Sequence, residues 1–227
     1  MDSIIQQIKD GLIVSCQALE DEPLHSSFIM GRMAVAAQEG GAVGIRANTV
    51  ADILEIRQQV DLPLIGIIKA VYPDSEVYIT PTFKEVEALV TSGCEIIAMD
   101  ATDRLRPGGL DLPSFFQQIR EKYPQQLFMA DCATYEEGMA AAAMGFDLIG
   151  TTLTGYTEGS RDHPAPNFHM ISGLVRNCGK AVIAEGNIWS PEQLELARDC
   201  GIHAAVVGSV ITRPQLITKR FADVMKK

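Results

Sequence analysis

Two residues of opposite charge lie where this chain could do acid–base chemistry. Lys69 ends the apolar run LPLIGIIK (62–69). Glu185 lies near the end of a second run, AVIAEG (181–186). A charged side chain at the carboxyl end of a buried strand points toward the mouth of an α/β fold, where active sites lie. A base and an acid aimed at one substrate are therefore predicted.

The elements that would position these residues recur along the chain as short apolar runs separated by amphipathic stretches. The runs are GLIVSCQ (11–17), AVGIRA (42–47), LIGIIK (64–69), IIAMDAT (96–102), LFMADCA (127–133), LIGTTL (148–153), AVIAEG (181–186) and AAVVGS (204–209). Their near-continuous hydrophobicity is typical of parallel strands buried on both faces. Eightfold alternation of strand and helix predicts a single (β/α)8 TIM barrel over residues 1–227. A doubly wound open sheet is the alternative, although no GxGxxG turn follows the first run.

The segments between the runs carry signals of helix N-termini. These are Thr80-Pro81 ahead of FKEVEALVTSG, Thr134 with Glu137, and Ser190 with Gln193. The first predicts a helix with proline in its first turn, and the other two have capping-box spacing. The irregular stretch 155–169, GYTEGSRDHPAPNFH, lacks a helical period and predicts a lid or an interface element.

Composition and charge restrict the classes of partner. The 227 residues are 47% hydrophobic, with a net charge of -10 and a pI near 4.8. Nucleic acids and anionic membranes need a basic face, so neither is expected, whereas a small anion needs only a few local donors. The N-terminus MDSIIQQIKD has no basic leader, and no apolar run reaches the roughly 20 residues that span a bilayer. The sequence predicts a cytoplasmic protein.

Cysteine and histidine do not indicate a metal site. The five cysteines are scattered singly, with no CxxC pair, and predict free thiols. The four histidines show no HExxH or comparable spacing. We therefore expect neither a metal nor a cofactor.

Polar residues concentrate at the carboxyl ends of the apolar runs. They are Gln17, Arg46, Lys69, Asp100, Asp131, Thr152 or Thr154, Glu185, Gly208 and Ser209. The opposite ends begin with Gly, Ala, Leu or Ile, so the polarity is confined to one rim. Taken singly, each polar residue has a structural explanation, such as a basic side chain reaching water or a carboxylate capping a helix. Their convergence on one rim favours a functional site.

A phosphate site is predicted at the last two strands. Gly186 with Asn187, and Gly208 with Ser209, place a glycine and a small polar residue between a strand and a helical segment. Such turns let backbone N–H groups approach an anion, and this corner of a barrel commonly binds phosphate. Arg213 adds a cation that can clamp phosphate oxygens bidentately. The structural alternative is that the glycines only form tight βα turns.

A resemblance to a known family runs in order through nearly the whole chain. The motifs that carry it are SCQA (15–18), GIRAN (44–48), GIIK (66–69), ITPT (79–82), MDAT (99–102), ADCAT (130–134), GTTLTGYT (150–157), AEGNI (184–188) and VVGSVITRP (206–214). Together they resemble those of the N-acetylmannosamine-6-phosphate 2-epimerases. The resemblance implies interconversion of N-acetylmannosamine 6-phosphate and N-acetylglucosamine 6-phosphate in the bacterial breakdown of sialic acids. It also implies a metal-independent site.

The resemblance also implies roles for individual residues. Lys69 matches the catalytic lysine of the family and Glu185 the neighbouring carboxylate. The other matched positions are Gln17 and Arg46 as sugar contacts, Asp131 as the central aspartate, and Gly208, Ser209 and Arg213 as phosphate binders. The implied reaction opens the sugar ring, removes the proton next to the aldehyde and returns it to the opposite face of an enolate.

Two other functions stay open at this point. A lysine at a strand end could form a Schiff base, as in lyases and aldolases that cleave phosphorylated sugars. The same phosphate corner would also suit a non-catalytic sugar-phosphate sensor. A homodimer is a common assembly for this fold, but the sequence does not determine the oligomeric state.

Overall fold

The protein forms a closed barrel of parallel strands in a computed structural model that describes residues 3–163 and 165–226. The strands are β1 (Leu12–Cys16), β2 (Gly44–Asn48), β3 (Leu64–Ile67), β4 (Ile96–Asp100), β5 (Leu127–Asp131), β6 (Leu148–Gly150), β7 (Ala181–Glu185) and β8 (Ala204–Val207). Ile13 of β1 pairs with Gly44 of β2 and also with Val206 of β8, which closes the barrel. The predicted (β/α)8 barrel is confirmed, and the open-sheet alternative is wrong. Met1, Asp2, Pro164 and Lys227 of the predicted domain lie outside the described residues.

Helices alternate with the strands around the outside of the barrel. They are α1 (Ser3–Gln7), α2 (Ser27–Glu39), α3 (Val50–Gln59), α4 (Phe83–Ser92), α5 (Leu112–Lys122), α6 (Tyr135–Met144), α7 (Phe168–Asn177), α8 (Pro191–Asp199), α9 (Ser209–Thr212) and α10 (Pro214–Val224). Thr134 and Ser190 are the N-caps of α6 and α8, as their spacing predicts. Each accepts a hydrogen bond from the backbone N–H three residues later, a group that would otherwise have no partner in the helix.

The start of α4 differs from the sequence prediction. Thr82 is the N-cap and forms a capping box with Glu85, so Pro81 precedes the helix and does not lie in its first turn. Thr80 has a different role, because its hydroxyl donates to the carbonyl of Ala98 at 2.7 Å and its φ is +48°. The sequence prediction therefore missed the helix start by two residues, since both threonines are N-cap types.

The core has two layers, one inside the barrel and one between the barrel and the helices. Ile65 and Ile67 of β3 point into the barrel, which is filled by other branched side chains and by Met129. Gly66 between them faces the outer layer, where an added Cβ would lie 2.6 Å from the sulfur of Cys94. Ile8, directly after α1, is also part of the barrel interior. The carboxyl ends of the strands are left as the open mouth.

All strands except β2 end before their apolar runs do. β3 stops at Ile67, and the chain continues as a hairpin in which Lys69 pairs with Ile79. β6 stops at Gly150, although its run extends to Leu153. Lys69 and Thr152 therefore lie beyond the paired strands, whereas Arg46, Asp131 and Glu185 lie within β2, β5 and β7.

The five cysteines carry free thiols, as predicted. Burial raises the pKa of Cys16 to about 12 and that of Cys94 to about 11.

Within residues 3–163 and 165–226, no helix is both long and apolar enough to cross a membrane.

Candidate active site

A cavity of about 260 Å³ opens at the carboxyl ends of the strands. All but one of the site residues predicted from the sequence line it: Gln17, Arg46, Lys69, Glu185, Gly186, Asn187, Gly208, Ser209 and Arg213. They come from β2, the end of β7, the hairpin after β3, and the segments that directly follow β1, β7 and β8. The barrel topology thus brings together residues separated by almost 200 positions in the chain.

Asp131 is the exception, because it does not line the cavity. Its side chain is 0% exposed at the end of β5, and both carboxylate oxygens are occupied. Arg46 donates Nη1 to Oδ1 at 3.0 Å and Nη2 to Oδ2 at 2.6 Å, and the hydroxyl of Thr152 donates to Oδ1 at 2.6 Å. The carboxylate of Asp131 thus faces Arg46, which it orients. Its predicted part in substrate binding stays a prediction.

Arg46 connects the two carboxylates at the base of the cavity. Its side chain is 1% exposed, and Nη1 also donates to Oε2 of Glu185 at 2.9 Å. Burial lowers the pKa of this guanidinium, but the charges of Asp131 and Glu185 together outweigh that effect and raise it. Arg46 therefore carries a fixed positive charge in the cavity wall.

Lys69 is held by its backbone and leaves its amine available. Its backbone N–H donates to Oδ1 of Asn48 at 2.9 Å, and the hairpin pairing with Ile79 fixes the next residues. Among the described residues, the amine of Lys69 donates to no protein group. Burial, followed by the charges of Arg46 and Arg213, lowers the pKa of Lys69 to about 8. The amine can therefore lose its proton near neutral pH.

Glu185 has the opposite shift. Its side chain is 11% exposed, and burial, opposed by the charge of Arg46 but reinforced by that of Asp131, raises the pKa of Glu185 to about 7. The hydroxyl of Thr152 is 3.2 Å from Oε2. One cavity therefore contains an amine and a carboxyl group that can both change protonation near neutrality, which is characteristic of acid–base sites.

Gln17 is oriented by its own strand. Its Nε2 donates to the hydroxyl of Ser15 at 2.7 Å, and both residues line the cavity. The second N–H of the amide and the carbonyl oxygen are left for a ligand, because a primary amide has two donors and one acceptor.

The two glycine turns form the opposite side of the cavity. Gly186 has a φ of +98°, and an added Cβ would lie 3.0 Å from the carbonyl oxygen of Thr152. At Gly208 an added Cβ would lie 3.1 Å from the Cβ of Ser15. Both turns thus need glycine for space, and Gly186 also for its backbone conformation. Both turns line the cavity together with Arg213.

Arg213 lies at the edge of these turns and is already paired. Its Nε and Nη2 donate to the carboxylate of Glu22 in the loop between β1 and α2, and Nη1 donates to the hydroxyl of Ser209 at 3.2 Å. Sequence reasoning did not identify Glu22, because no strand or helix pattern surrounds it.

Three aromatic residues of the cavity were also missed. Tyr78 comes from the hairpin after β3, Tyr156 from the loop after β6, and Trp189 from the loop after β7. The hydroxyl of Tyr156 donates to Oδ1 of Asn187 at 3.3 Å, so the irregular stretch 155–169 contributes to the cavity rim. Each of these aromatic residues follows the carboxyl end of a strand by eleven residues or fewer, and this spacing could have indicated that they reach the cavity.

The other rim carboxylate, Asp100, faces away from the cavity. It accepts hydrogen bonds from Thr102 and from Nη2 of Arg104 at 2.6 Å. In the part of the chain that the structure describes, no three His, Cys, Asp or Glu side chains are grouped so that they could hold a metal ion.

Comparison with known proteins gives a consistent result. The family described as "Putative N-acetylmannosamine-6-phosphate epimerase" matches residues 30–227. A relative from Caldanaerobacter subterraneus subsp. tengcongensis, named "Putative N-acetylmannosamine-6-phosphate 2-epimerase", is 52% identical over 99% of this chain and 94% of its own. A relative of the same name from Clostridioides difficile is 51% identical over 98% of this chain and 99% of its own.

Solved structures agree with the fold. The N-acetylmannosamine-6-phosphate 2-epimerase from Clostridium perfringens superposes with a TM-score of 0.92 at 53% identity, covering 97% of this chain and 95% of that chain. A thiamine phosphate pyrophosphorylase from Pyrococcus furiosus reaches a TM-score of 0.60 at 16% identity and shares the fold alone. With a family match over most of its length and relatives above 50% identity, this chain belongs to the N-acetylmannosamine-6-phosphate 2-epimerase family.

Proposed function

We propose that this protein interconverts N-acetylmannosamine 6-phosphate and N-acetylglucosamine 6-phosphate by inverting the carbon that bears the acetamido group. The observation that supports it best is the pair Lys69 and Glu185 in one cavity, with pKa values of about 8 and about 7. Family membership supplies the substrate class. We place the reaction in the cytoplasm, because charged phosphate esters do not cross a bilayer unaided.

The chemistry requires the sugar ring to open before the carbon can react. In the open form the aldehyde makes the adjacent C–H bond acidic, and the neutral amine of Lys69 removes that proton to leave an enolate. The electron pair of the broken C–H bond moves into the enolate, and a proton delivered to the opposite face gives the epimer. Glu185 supplies a proton for ring opening or for the opposite face, since its pKa is near neutrality.

The negative charge of the enolate needs donors that are already in place. Arg46 carries a buried positive charge, and the orientation of its guanidinium is fixed by the bidentate bond to Asp131. Gln17 adds an amide held by Ser15. Preorganised donors in a cavity shielded from water stabilise developing charge without moving during the reaction. We propose that these groups serve in place of a metal ion.

Proton NMR in deuterated water tests this function. Incubation with N-acetylmannosamine 6-phosphate should give N-acetylglucosamine 6-phosphate carrying deuterium at the inverted carbon, with no cleavage product. Carbon–carbon cleavage and a borohydride-trapped adduct on Lys69 would instead establish the lyase. Binding without any turnover would establish the sensor.

The pH dependence of kcat/KM should be bell-shaped. Lys69 must be neutral to act as a base, so activity rises as pH approaches about 8. Glu185 must be protonated to act as an acid, so activity falls above about 7. Because Lys69 and Glu185 influence each other's titration, the rising and falling limbs describe the pair together. The maximum of kcat/KM should lie at about pH 7.5. Glu185→Gln should remove the falling limb, and a profile that stays bell-shaped in this variant would exclude Glu185 as the acid.

Arg213→Ala should raise KM for the 6-phosphate sugar about 10- to 150-fold, the cost of losing hydrogen bonds to a charged group. Positioning of the reacting carbon is also impaired, so kcat falls as well. The unphosphorylated sugar should be a poor substrate whose turnover hardly changes. Arg198→Ala is the control, because Arg198 is an exposed arginine that pairs only with exposed carboxylates. Equal losses on both sugars would show that Arg213 supports structure.

We also propose that two copies associate through α10. No residue of this helix is fully buried, and Phe221, Val224 and Met225 at its end are 74%, 81% and 83% exposed. Large exposed apolar patches mark interaction surfaces. Light scattering after gel filtration should give a dimer for the wild type and a monomer for Phe221→Glu, with Lys219→Glu on the same helix as the control. A monomeric wild type would contradict the proposal.

A further inference from the structure

The loop between β1 and α2 reaches the phosphate corner through one carboxylate. Both oxygens of Glu22 accept from Arg213, with Nη2 at 2.9 Å from Oε2. The same carboxylate also accepts from the backbone N–H of Leu19 at 2.8 Å and from Nε2 of Gln215 at 3.3 Å. The Arg213 bond holds the pKa of Glu22 below its usual value, so this carboxylate is ionised at neutral pH. Glu22 itself does not line the cavity, but Arg213 does.

The contact leaves a defined part of Arg213 available. A guanidinium has five N–H donors. Glu22 takes two of them and the hydroxyl of Ser209 takes a third, so within residues 3–163 and 165–226 two remain, one on Nη1 and one on Nη2. Two adjacent N–H groups at the end of a guanidinium match two oxygens of a phosphate.

An arginine without such a partner would have to be ordered when the ligand binds. Its long side chain would then lose rotamer entropy on binding, and the ligand alone would have to offset that cost. Glu22 removes much of that cost, because the guanidinium is fixed before the ligand arrives. The carboxylate is itself held by Leu19 and Gln215, so it can keep its place when a second anion binds beside it.

We propose that Glu22 is a positioning residue for phosphate recognition: it holds the Nε–Nη2 edge of Arg213 and presents the Nη1–Nη2 end to the phosphate of the sugar phosphate. This inference rests on the proposed function. The loop after β1 thereby takes part in binding the phosphate, whereas the other proposed phosphate contacts follow β7 and β8.

Calorimetry with glucose 6-phosphate tests the inference without turnover. Glu22→Ala should raise its Kd about 3- to 10-fold, the effect of ordering one long side chain on binding. In assays with N-acetylmannosamine 6-phosphate, KM should rise by a similar factor and kcat should fall less. Glu20→Ala is the matched control, because Glu20 is an exposed acidic residue of the same loop, whereas the carboxylate that pairs with Arg213 is that of Glu22.

The Arg213→Ala background separates positioning from general loop stability. There, Glu22→Ala should add no further loss of affinity, since the group that it positions is gone. Glu22→Gln keeps one oxygen acceptor and should give an intermediate rise in Kd. This variant replaces Glu22→Ala in the test if the alanine variant does not fold. Unchanged Kd in both Glu22 variants, or tighter binding because the carboxylate competes with phosphate, would overturn the inference. A wild type that binds glucose 6-phosphate but shows no epimerisation would refute only the proposed function.

Discussion

Lys69→Ala should lower kcat for epimerisation about 10²- to 10⁴-fold, the usual contribution of a general base. The amine of Lys69 has a pKa of about 8 and no hydrogen-bond partner among the described residues. We therefore expect no neighbouring group to take over as the base. Binding of glucose 6-phosphate should change little, because the proposed phosphate contacts are made by Arg213 and the two glycine turns. A coupled assay and calorimetry measure the two effects.

Two further variants refine this test. Lys69→Arg keeps the positive charge but cannot act as a base near neutral pH, so it should be as inactive as the alanine variant. Lys180→Ala removes an exposed lysine and should leave kcat unchanged. If Lys69→Ala retained more than about a hundredth of wild-type turnover, the loss would be too small for a general base. The base would then have to be another group.

Arg46→Met should destabilise the protein by about 3–5 kcal/mol, because it leaves the buried carboxylate of Asp131 without its charged partner. For a chain of this size, that corresponds to a fall in Tm of roughly 6–20 °C. Activity should also be lost, since the proposed enolate stabiliser is gone. Removing the nearby positive charge should raise the pKa of Glu185 further, because Arg46 lowers it. Urea unfolding, with thermal melting alongside, gives the stability change.

A surface ion pair provides the matched control for this variant. Nη2 of Arg57 donates to both oxygens of Glu95 at 2.7 Å, but the side chain of Arg57 is about one-third exposed. Arg57→Met should therefore cost at most about 1 kcal/mol. The double variant Arg46→Met with Asp131→Asn should lose less stability than the sum of the two single changes. Strictly additive losses would show that the two side chains are not energetically coupled.

The barrel could be predicted because its strands are buried on both faces. Continuous apolar runs such as LIGIIK and AVIAEG are required by that burial, and their number and spacing leave few alternative folds. Capping residues follow local rules in the same way, which is why Thr134 and Ser190 were placed correctly. The start of α4 was misplaced, because Thr80 and Thr82 are equally good caps until the hydrogen bond from Thr80 to Ala98 is seen.

The limits of prediction at the site have a different cause. Asp131 is the last residue of its strand, as Glu185 is, but its carboxylate bonds to Arg46 and does not line the cavity. That choice depends on side chains 85 positions apart in the chain. Tyr78 and Trp189 lie on loops, where no periodic pattern indicates which way a side chain faces.

The sequence by itself determined the fold class, the rim on which the polar residues gather, and the charged and glycine residues that line the cavity. Burial and turn geometry require particular residue types at particular positions, so these features could be recognised from the sequence. The tertiary structure alone decided the network of Arg46 with two carboxylates, the pKa values of Lys69 and Glu185, and the hold of Glu22 on Arg213. Each of these depends on the distance between groups far apart in sequence and on how deeply each group is buried. Electrostatic interactions vary steeply with distance and with burial.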